Sequence, residues 1–479
     1  MSIPRKPKDP TSAIPPGCEK PIRKAMRVDL LKMTRLLLDH LTPVLCETVF
    51  QQRRTIERTR KWTFYAVNLF WAAMIVRHPA SLQQGLDETR KGRGRDKLWP
   101  RVMATPRAFF TKARGLRPPL FQATYEAFTR SILPRARPTS ASWLGRVRER
   151  FPEVLIVDGS RLDAIGHHLK LLRHDPAQIL PGCLTVFYDL WRGITRQVLF
   201  FPNAAAAELP RAQASLKSLT PATLLLGDRL YASVQYFHLL ASLHLYGLFR
   251  RHGRLTLKRL RMCSVQQDSR GRLEDLLVEV GCGVGQPKLT LRLIRARGQG
   301  RRVDLLTNVL EPSQLRPEEA LALYRLRWSV ERLFLDLKET LDLHCLYAAH
   351  PNLVAQQVYA AAIVHTAFRV AQAGIAKQAH VLPEQLSPAK LFPKLAQAAN
   401  DHCVAQITVL KTRALNPGVA IRFPGWHVIP SAYTTLGAIV VRHRKGPRRR
   451  RRFCASRKRW KSLRHVRGGP TLLQSITDG

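Results

Sequence analysis

Two short, unbroken apolar runs, each closed by an aspartate, constrain this chain more than any other feature: VLIVDGS at 154–160 and TLLLGDRL at 223–230. A strand that is apolar at every successive residue can leave neither face in water. Such strands belong in the middle of a sheet with helices packed on both sides. The segments between them fit that picture. CLTVFYDL (183–190) and ITRQVLFFPN (194–203) flank the turn Trp191-Arg192-Gly193 and read as an antiparallel hairpin. Ala204 to Leu219 reads as helix, and so does Tyr231 to about Leu245. The order is strand, strand, strand, helix, strand, helix, and the fold class is α/β. Asp158 and Asp228 stand at the C-terminal ends of the two most apolar strands.

The rest of the chain divides around this block. Residues 1–20, rich in Pro and Lys, read as a disordered tail. Residues 21–149 read as a basic helical domain, with LLKMTRLLLDHL and FYAVNLFWAAMIV carrying apolar residues at helical spacing. Arg53, Arg54, Arg58, Arg60, Lys61, Arg90, Lys91, Arg93 and Arg95 decorate it, which suits DNA binding and equally suits a helical scaffold with a solvated charged face. Trp62 to Val76 is too short to span a bilayer and reads as a buried helix. Residues 252–310 alternate as strands do, in LEDLLVEVGCGVG, KLTLRLIRAR and VDLLTNVL. Pro317, followed by Glu318 and Glu319, opens a periodic helix to about Asp342, and Leu353 to Ala373 forms another. The C-terminal region, 376–479, holds Pro383, Pro388 and Pro393 and ends in an arm, 442–467, with fourteen Lys or Arg in twenty-six residues. A run of that kind reads as a disordered electrostatic arm.

Charge names a class of partner. Seventy-nine Lys and Arg against thirty-three Asp and Glu leave a net charge of +46. That imbalance opposes compaction by self-repulsion, and a polyanion such as DNA relieves it through counterion release. The eight cysteines form no CxxC pair, which argues against a zinc finger and for reduced thiols in a cytosol. The N-terminus MSIPRKPKDPTSAIPPG lacks the apolar core of a secretory signal. A cytoplasmic protein with no membrane partner is expected.

Chemistry enters with the helix LALYRLRWSVERLFLDLKETLDL. At about 100° per residue, Tyr324, Arg327, Glu331 and Lys338 fall within roughly 60° of arc. Leu326, Val330, Leu333, Leu337 and Leu341 form a separate apolar face. Alone, Arg327 and Glu331 are a surface pair worth a few tenths of a kcal/mol. Two strand-end aspartates upstream offer the same helix a common site.

The spacing Tyr324-x2-Arg327-x3-Glu331-x6-Lys338 resembles, position for position, the Tyr-x2-Arg-x3-Glu-x6-Lys signature of DDE transposases of bacterial insertion sequences of the "IS-four" type. VLIVDGS resembles that family's first-aspartate strand and LLLGDRLY its second, and the likeness covers roughly residues 150–375. One departure is Leu230, where the family usually has glycine two residues after the second aspartate.

The resemblance implies a ribonuclease H-like catalytic core, in two parts at 150–251 and 311–375, interrupted by a β-rich insertion at 252–310. It implies a catalytic and metal-binding triad of Asp158, Asp228 and Glu331 holding two Mg²⁺ ions, with Mn²⁺ as substitute. Two such ions about 4 Å apart activate the attacking oxygen and stabilise the leaving one. Asp158 would bridge them, Arg327 and Lys338 would hold phosphates, and Tyr324 would support the cleaved strand. Water would free a 3′-hydroxyl at the transposon end, and that hydroxyl would attack the opposite strand or target DNA. The implied partners are terminal inverted repeats, target DNA and a second copy of the chain in a bacterial, nucleoid-associated complex. Two rival functions share the sequence signals: a metal-dependent structure-specific nuclease, and an inactive DNA-binding protein derived from a transposase.

Other residues are weighed and set aside. Asp189 precedes the hairpin turn and Asp163 lies beyond its strand. His167, His168 and His174 have no matching ligand spacing, so surface or phosphate contact is expected. Asp336 and Glu339 read as solvated charge, and Trp191 and Trp328 as packing residues rather than a pocket for an unstacked base.

Overall fold

A computed structural model of the chain describes residues 27–29, 31–91, 98–136, 145–162, 182–268, 271–281, 287–298, 301–343, 345–378, 383, 386–397 and 433–435. The expectations for the 1–20 tail, the 442–467 arm, Asp163, His167, His168 and His174 fall outside them.

The chain enters with strand β1 (Arg27–Asp29) and a helical layer: α1 (Lys32–His40), α2 (Pro43–Arg53), α3 (Phe64–Arg77), α4 (Leu82–Arg90), α5 (Pro106–Gly115), α6 (Pro118–Ile132) and the short α7 (Gly145–Arg150). Local chemistry sets where these helices start. Thr42, Thr63, Ser81 and Thr105 each accept a hydrogen bond from the N–H three residues on, and proline stands in the first turn of α2, α5 and α6. The run expected as a buried helix is α3, in which Phe70, Trp71, Ala73 and Met74 are fully buried.

A nine-stranded mixed sheet follows. It is formed by β2 (Val154–Arg161), β3 (Cys183–Asp189), β4 (Ile194–Phe201), β5 (Leu224–Gly227), β6 (Tyr246–Arg250), β7 (Lys258–Asp268), β8 (Gly271–Val280), β9 (Leu289–Gly298) and β10 (Arg301–Thr307). Across the sheet the order is β4-β3-β2-β5-β6-β10-β9-β8-β7. β3 runs antiparallel to both its neighbours, β2 and β4; β5 and β6 run parallel to β2, and the remaining strands continue antiparallel from the free edge of β6. The apolar runs occupy the central strands, and Val154 to Val157 and Leu224 to Leu226 are fully buried. Two strands of this sheet escaped the sequence reading. β6 (YGLFR) is short and carries Gly and Arg, while β7 (KRLRMCSVQQD) is too basic to alternate as a core strand. Position explains β7, since it is the outer edge of the sheet, where Lys and Arg discourage pairing with another chain.

Helices cover both faces. On one lie α8 (Glu208–Leu216) and α9 (Val234–Ser242), both shorter than the sequence suggested. On the other lies α12 (Pro351–Gln378), which runs on past the expected Ala373 and is sandwiched between the sheet and the N-terminal helices. Alone among the described helices, α12 is long and apolar enough to cross a membrane, but 94% of its most apolar window is buried inside the protein. Polar contacts lock the sandwich. Trp71 donates to Gln356 (2.9 Å), Gln356 donates to the Ala113 carbonyl (2.6 Å), and the Tyr125 hydroxyl donates to the Thr195 carbonyl (2.6 Å). One apolar cluster thus runs without a break from Met33 to Ala396. Between the sheet and α12 come α10 (Pro317–Leu326) and α11 (Ser329–Leu335), and a short β11 (Tyr433–Thr435) pairs with β1.

Candidate active site

The parallel pairing of β2 with β5 aligns Ile156 with Leu226. Asp158 and Asp228 each lie two residues further on, so they leave neighbouring strands at the same level, where strands stand about 5 Å apart. Asp158 is still inside β2, opposite Val186 of β3, and its Oδ1 accepts the Gly159 N–H at 2.9 Å. Asp228 caps a tight turn over Arg229–Tyr231, its Oδ1 accepting the Leu230 N–H at 2.7 Å. Leu230 is not among the positive-φ residues, so this turn does not need the glycine that the resemblance led one to expect there.

The helix expected from Pro317 to Asp342 is not continuous, which corrects the sequence reading. After α10 the backbone tightens: Arg327 N–H donates to Tyr324, Val330 to Arg327 and Glu331 to Trp328, all i to i−3. After α11 it widens into a π-helical turn over Asp336–Thr340, closed by Leu341 N–H on the Asp336 carbonyl. Overwinding and underwinding roughly offset, so the polar residues still meet on one side. Arg327 reaches Asp158 Oδ2 with Nη1 at 3.4 Å and Glu331 Oε1 with Nη2 at 3.3 Å. Its Nε is buried with no hydrogen-bond partner among the described residues. Lys338, on the π turn, donates to Ser160 Oγ at 2.7 Å, two residues past Asp158. Tyr324 lies beside Arg327 and within electrostatic reach of Asp228, and burial raises its hydroxyl above the ordinary range.

The structure thus brings together Asp158, Asp228, Tyr324, Arg327, Glu331 and Lys338. It also adds a residue that the sequence did not single out. Glu208, the first residue of α8, lies against Gly159 and accepts a hydrogen bond from the buried Tyr231 hydroxyl. Burial first, and then the Glu208 charge, push Asp158 up to about 7, with the Gly159 N–H and Arg327 opposing the rise. Burial likewise raises Glu208, against the pull of the Tyr231 hydrogen bond. The only sequence signal for Glu208 was an acid in the first turn of a helix, which ordinarily serves the helix dipole.

The readings of Trp328 and Asp336 change, while those of Trp191 and Glu339 hold. Trp328 is not packed: it is 61% exposed beside the site, with the Arg327 guanidinium 5.2 Å from its ring. Trp191 is buried and donates to the Phe151 carbonyl at 2.8 Å. Asp336 is buried rather than solvated and lies 3.7 Å from the Nε2 of buried His365, while Glu339 is exposed. Asp189 is fully buried and holds the hairpin turn through the Arg192 N–H and guanidinium.

An all-carboxylate donor set suits a hard divalent cation. Among the described residues no three potential ligands stand close enough to hold one ion as they are. The positive charge between Asp158 and Glu331 is supplied by Arg327.

Residues 149–367 match the family model described as a transposase DDE domain. The matched stretch begins in α7, ends in α12 and contains every residue of this site. The match supports a DDE transposase family, and with it transposase function with DNA as partner. No curated protein matches the chain significantly.

Proposed function

We propose that this chain is a metal-dependent DNA transposase of the "IS-four" type. It would cut at transposon ends and transfer the freed 3′-hydroxyl into target DNA. One observation carries the reading: Asp158 and Asp228 leave adjacent parallel strands at one level, and Arg327 ties Asp158 to Glu331. The order of the first five sheet strands, third-second-first-fourth-fifth, with only the second running antiparallel to the other four, supports a ribonuclease H-like core. Strands β7 to β10 lie in sequence between Asp228 and Glu331, which supports reading 252–310 as an insertion.

In this reading Asp158, Asp228 and Glu331 hold Mg²⁺, or Mn²⁺ in its place. When bound, the metal supplies an activated nucleophilic oxygen and charge stabilisation for the leaving one. The protein's own groups do the rest. Asp158 is fixed by the Gly159 N–H, and Asp228 by its turn, so neither carboxylate needs to be ordered when DNA arrives. Arg327 can turn its planar guanidinium, whose Nε has no partner among the described residues, to the scissile phosphate, two of whose oxygens can accept from it side by side. Lys338 stands ready for the next phosphate, and Tyr324 lines the side nearest Asp228. Trp328 offers an exposed ring on which an unstacked base can rest. Joining two ends calls for two copies, so a homodimer is the proposed synaptic unit.

The test uses the full chain, Mg²⁺ or Mn²⁺, and DNA carrying candidate terminal inverted repeats. Cleavage and strand joining are expected, with each lost on Asp158→Asn, Asp228→Asn or Glu331→Gln. Cleavage with no joined product would turn the reading to a nuclease. Salt-sensitive binding with no product under either metal would leave only a DNA-binding protein.

A further inference from the structure

Glu208 is built into this site by features of both aspartate-bearing strands. At Gly159 an added Cβ would stand 2.3 Å from Glu208 Oε2, and at Gly227 it would stand 2.7 Å from the Tyr231 ring. The glycine after Asp158 therefore leaves a slot for the carboxylate, and the glycine before Asp228 leaves one for the tyrosine that holds it. Tyr231 is fully buried, and its hydroxyl donates to Glu208 Oε1, which turns Oε2 toward the strand beside Asp158. A second tyrosine, Tyr236, is also fully buried and near enough to feel the Glu208 charge. Its hydroxyl has no hydrogen-bond partner among the described residues.

A half-buried carboxylate next to Asp158 loses hydration and meets a like charge, both unfavourable unless a cation offsets them. Arg211, one turn along α8, donates to the Ala207 carbonyl and the Cys183 sulfur, and its charge offsets that of Glu208 only in part. Arg327 points its two terminal nitrogens at Asp158 and Glu331 instead. We infer that Glu208 is a fourth carboxylate of the site, supplying an oxygen to the divalent cation that Asp158 would hold, with Tyr231 as its positioning residue. The inference rests on the metal-dependent reading above.

Binding of Mn²⁺ to the metal-free full chain without DNA, followed by the loss of the free-ion paramagnetic resonance signal, tests it apart from activity. Glu208→Gln keeps the shape and still accepts from Tyr231, so the fold is retained while the ligand charge is lost. It should weaken Mn²⁺ binding at least tenfold, and Tyr231→Phe should weaken it several-fold. The control Glu88→Gln, half-buried on α4 far along the chain from the site, should bind as the parent does. Metal-free Glu208→Gln should melt no lower than the parent, whereas a purely structural glutamate would lower the melting point. Unchanged Mn²⁺ affinity in Glu208→Gln, with affinity lost in Asp158→Asn, overturns this inference alone. Unchanged affinity in both variants overturns the metal-dependent reading beneath it as well. Should Glu208→Gln fail to fold, Tyr231→Phe decides the matter, because it leaves every charge in place.

Discussion

In the proposed reading, Asp158 pulls stability and function in opposite directions. Burial and the Glu208 charge carry its pKa from an ordinary 3.8 up to about 7, so the folded chain keeps a proton that the unfolded chain releases. That contribution is full below about pH 4 and is lost as pH rises through 7. Metal-free Asp158→Asn should therefore be more stable than the parent at pH 8, by roughly 1–3 kcal/mol, and the gap should narrow as pH falls. Thermal melts at several pH values check this, and Mg²⁺ should stabilise the parent but not the variant. Glu57 behaves in the opposite sense, away from the site. Burial would raise its pKa, yet hydrogen bonds from Arg117 and the Thr55 N–H prevail and hold it at about 2. Its contribution is present above about pH 4.5 and lost as pH falls toward 2. Glu57→Gln should cost roughly 1–3 kcal/mol at pH 6, less at pH 3 and little at pH 2, read from urea unfolding midpoints.

Among the elements, α10 is held by a strut from the part of the sheet that precedes it. Arg292 of β9 is fully buried, forms a bidentate pair with Asp275 of β8 (2.7 and 2.8 Å) and donates to the Leu315 carbonyl at 2.7 Å, one residue before the cap of α10. Arg292→Met strands a buried carboxylate and should cost about 3–5 kcal/mol, while Arg292→Met with Asp275→Leu should recover much of it. Denaturant midpoints of the single and double variants test this. A double variant no more stable than the single would put the loss on the Leu315 contact instead. The strut was invisible in the sequence because Arg292 and Asp275 sit in strands whose other residues merely alternate. What was legible followed from strong patterns. The all-apolar runs marked β2 and β5, the turn residues marked the β3–β4 hairpin, and the spacing of Tyr324, Arg327, Glu331 and Lys338 survived a break in their helix. What was not legible depended on neighbours distant in the chain. Glu208 needs the slot at Gly159, the exposure of Trp328 needs the overwound turn, and the burial of Asp336 needs His365 of α12.

For the molecule as a whole, the net charge of +46 separates into parts with different duties. The matched domain ends at residue 367, while fourteen of the seventy-nine basic residues crowd into 442–467. Another basic surface lies on the helical layer, where Arg107, Phe110, Thr111 and Arg114 of α5 line an open cleft. Spacings of three and four residues set these on one helix face, so the two arginines can meet successive phosphates of one strand. Each phosphate neutralised adds about 0.9 to the slope of log affinity against log salt on duplex DNA. Deleting 442–467 should flatten that slope for terminal-repeat and random DNA alike and leave their affinity ratio unchanged, since an arm of point charges reads backbone and not bases. Arg107→Ala with Arg114→Ala should lower the slope by up to about 1.8. If α5 belongs to the surface that engages transposon ends, the same pair should also reduce the preference for terminal repeats. Fluorescence anisotropy on both DNAs between low and moderate KCl separates the two surfaces. A lost preference after deleting the arm, with the α5 variant unaffected, would move end recognition to the C-terminal region.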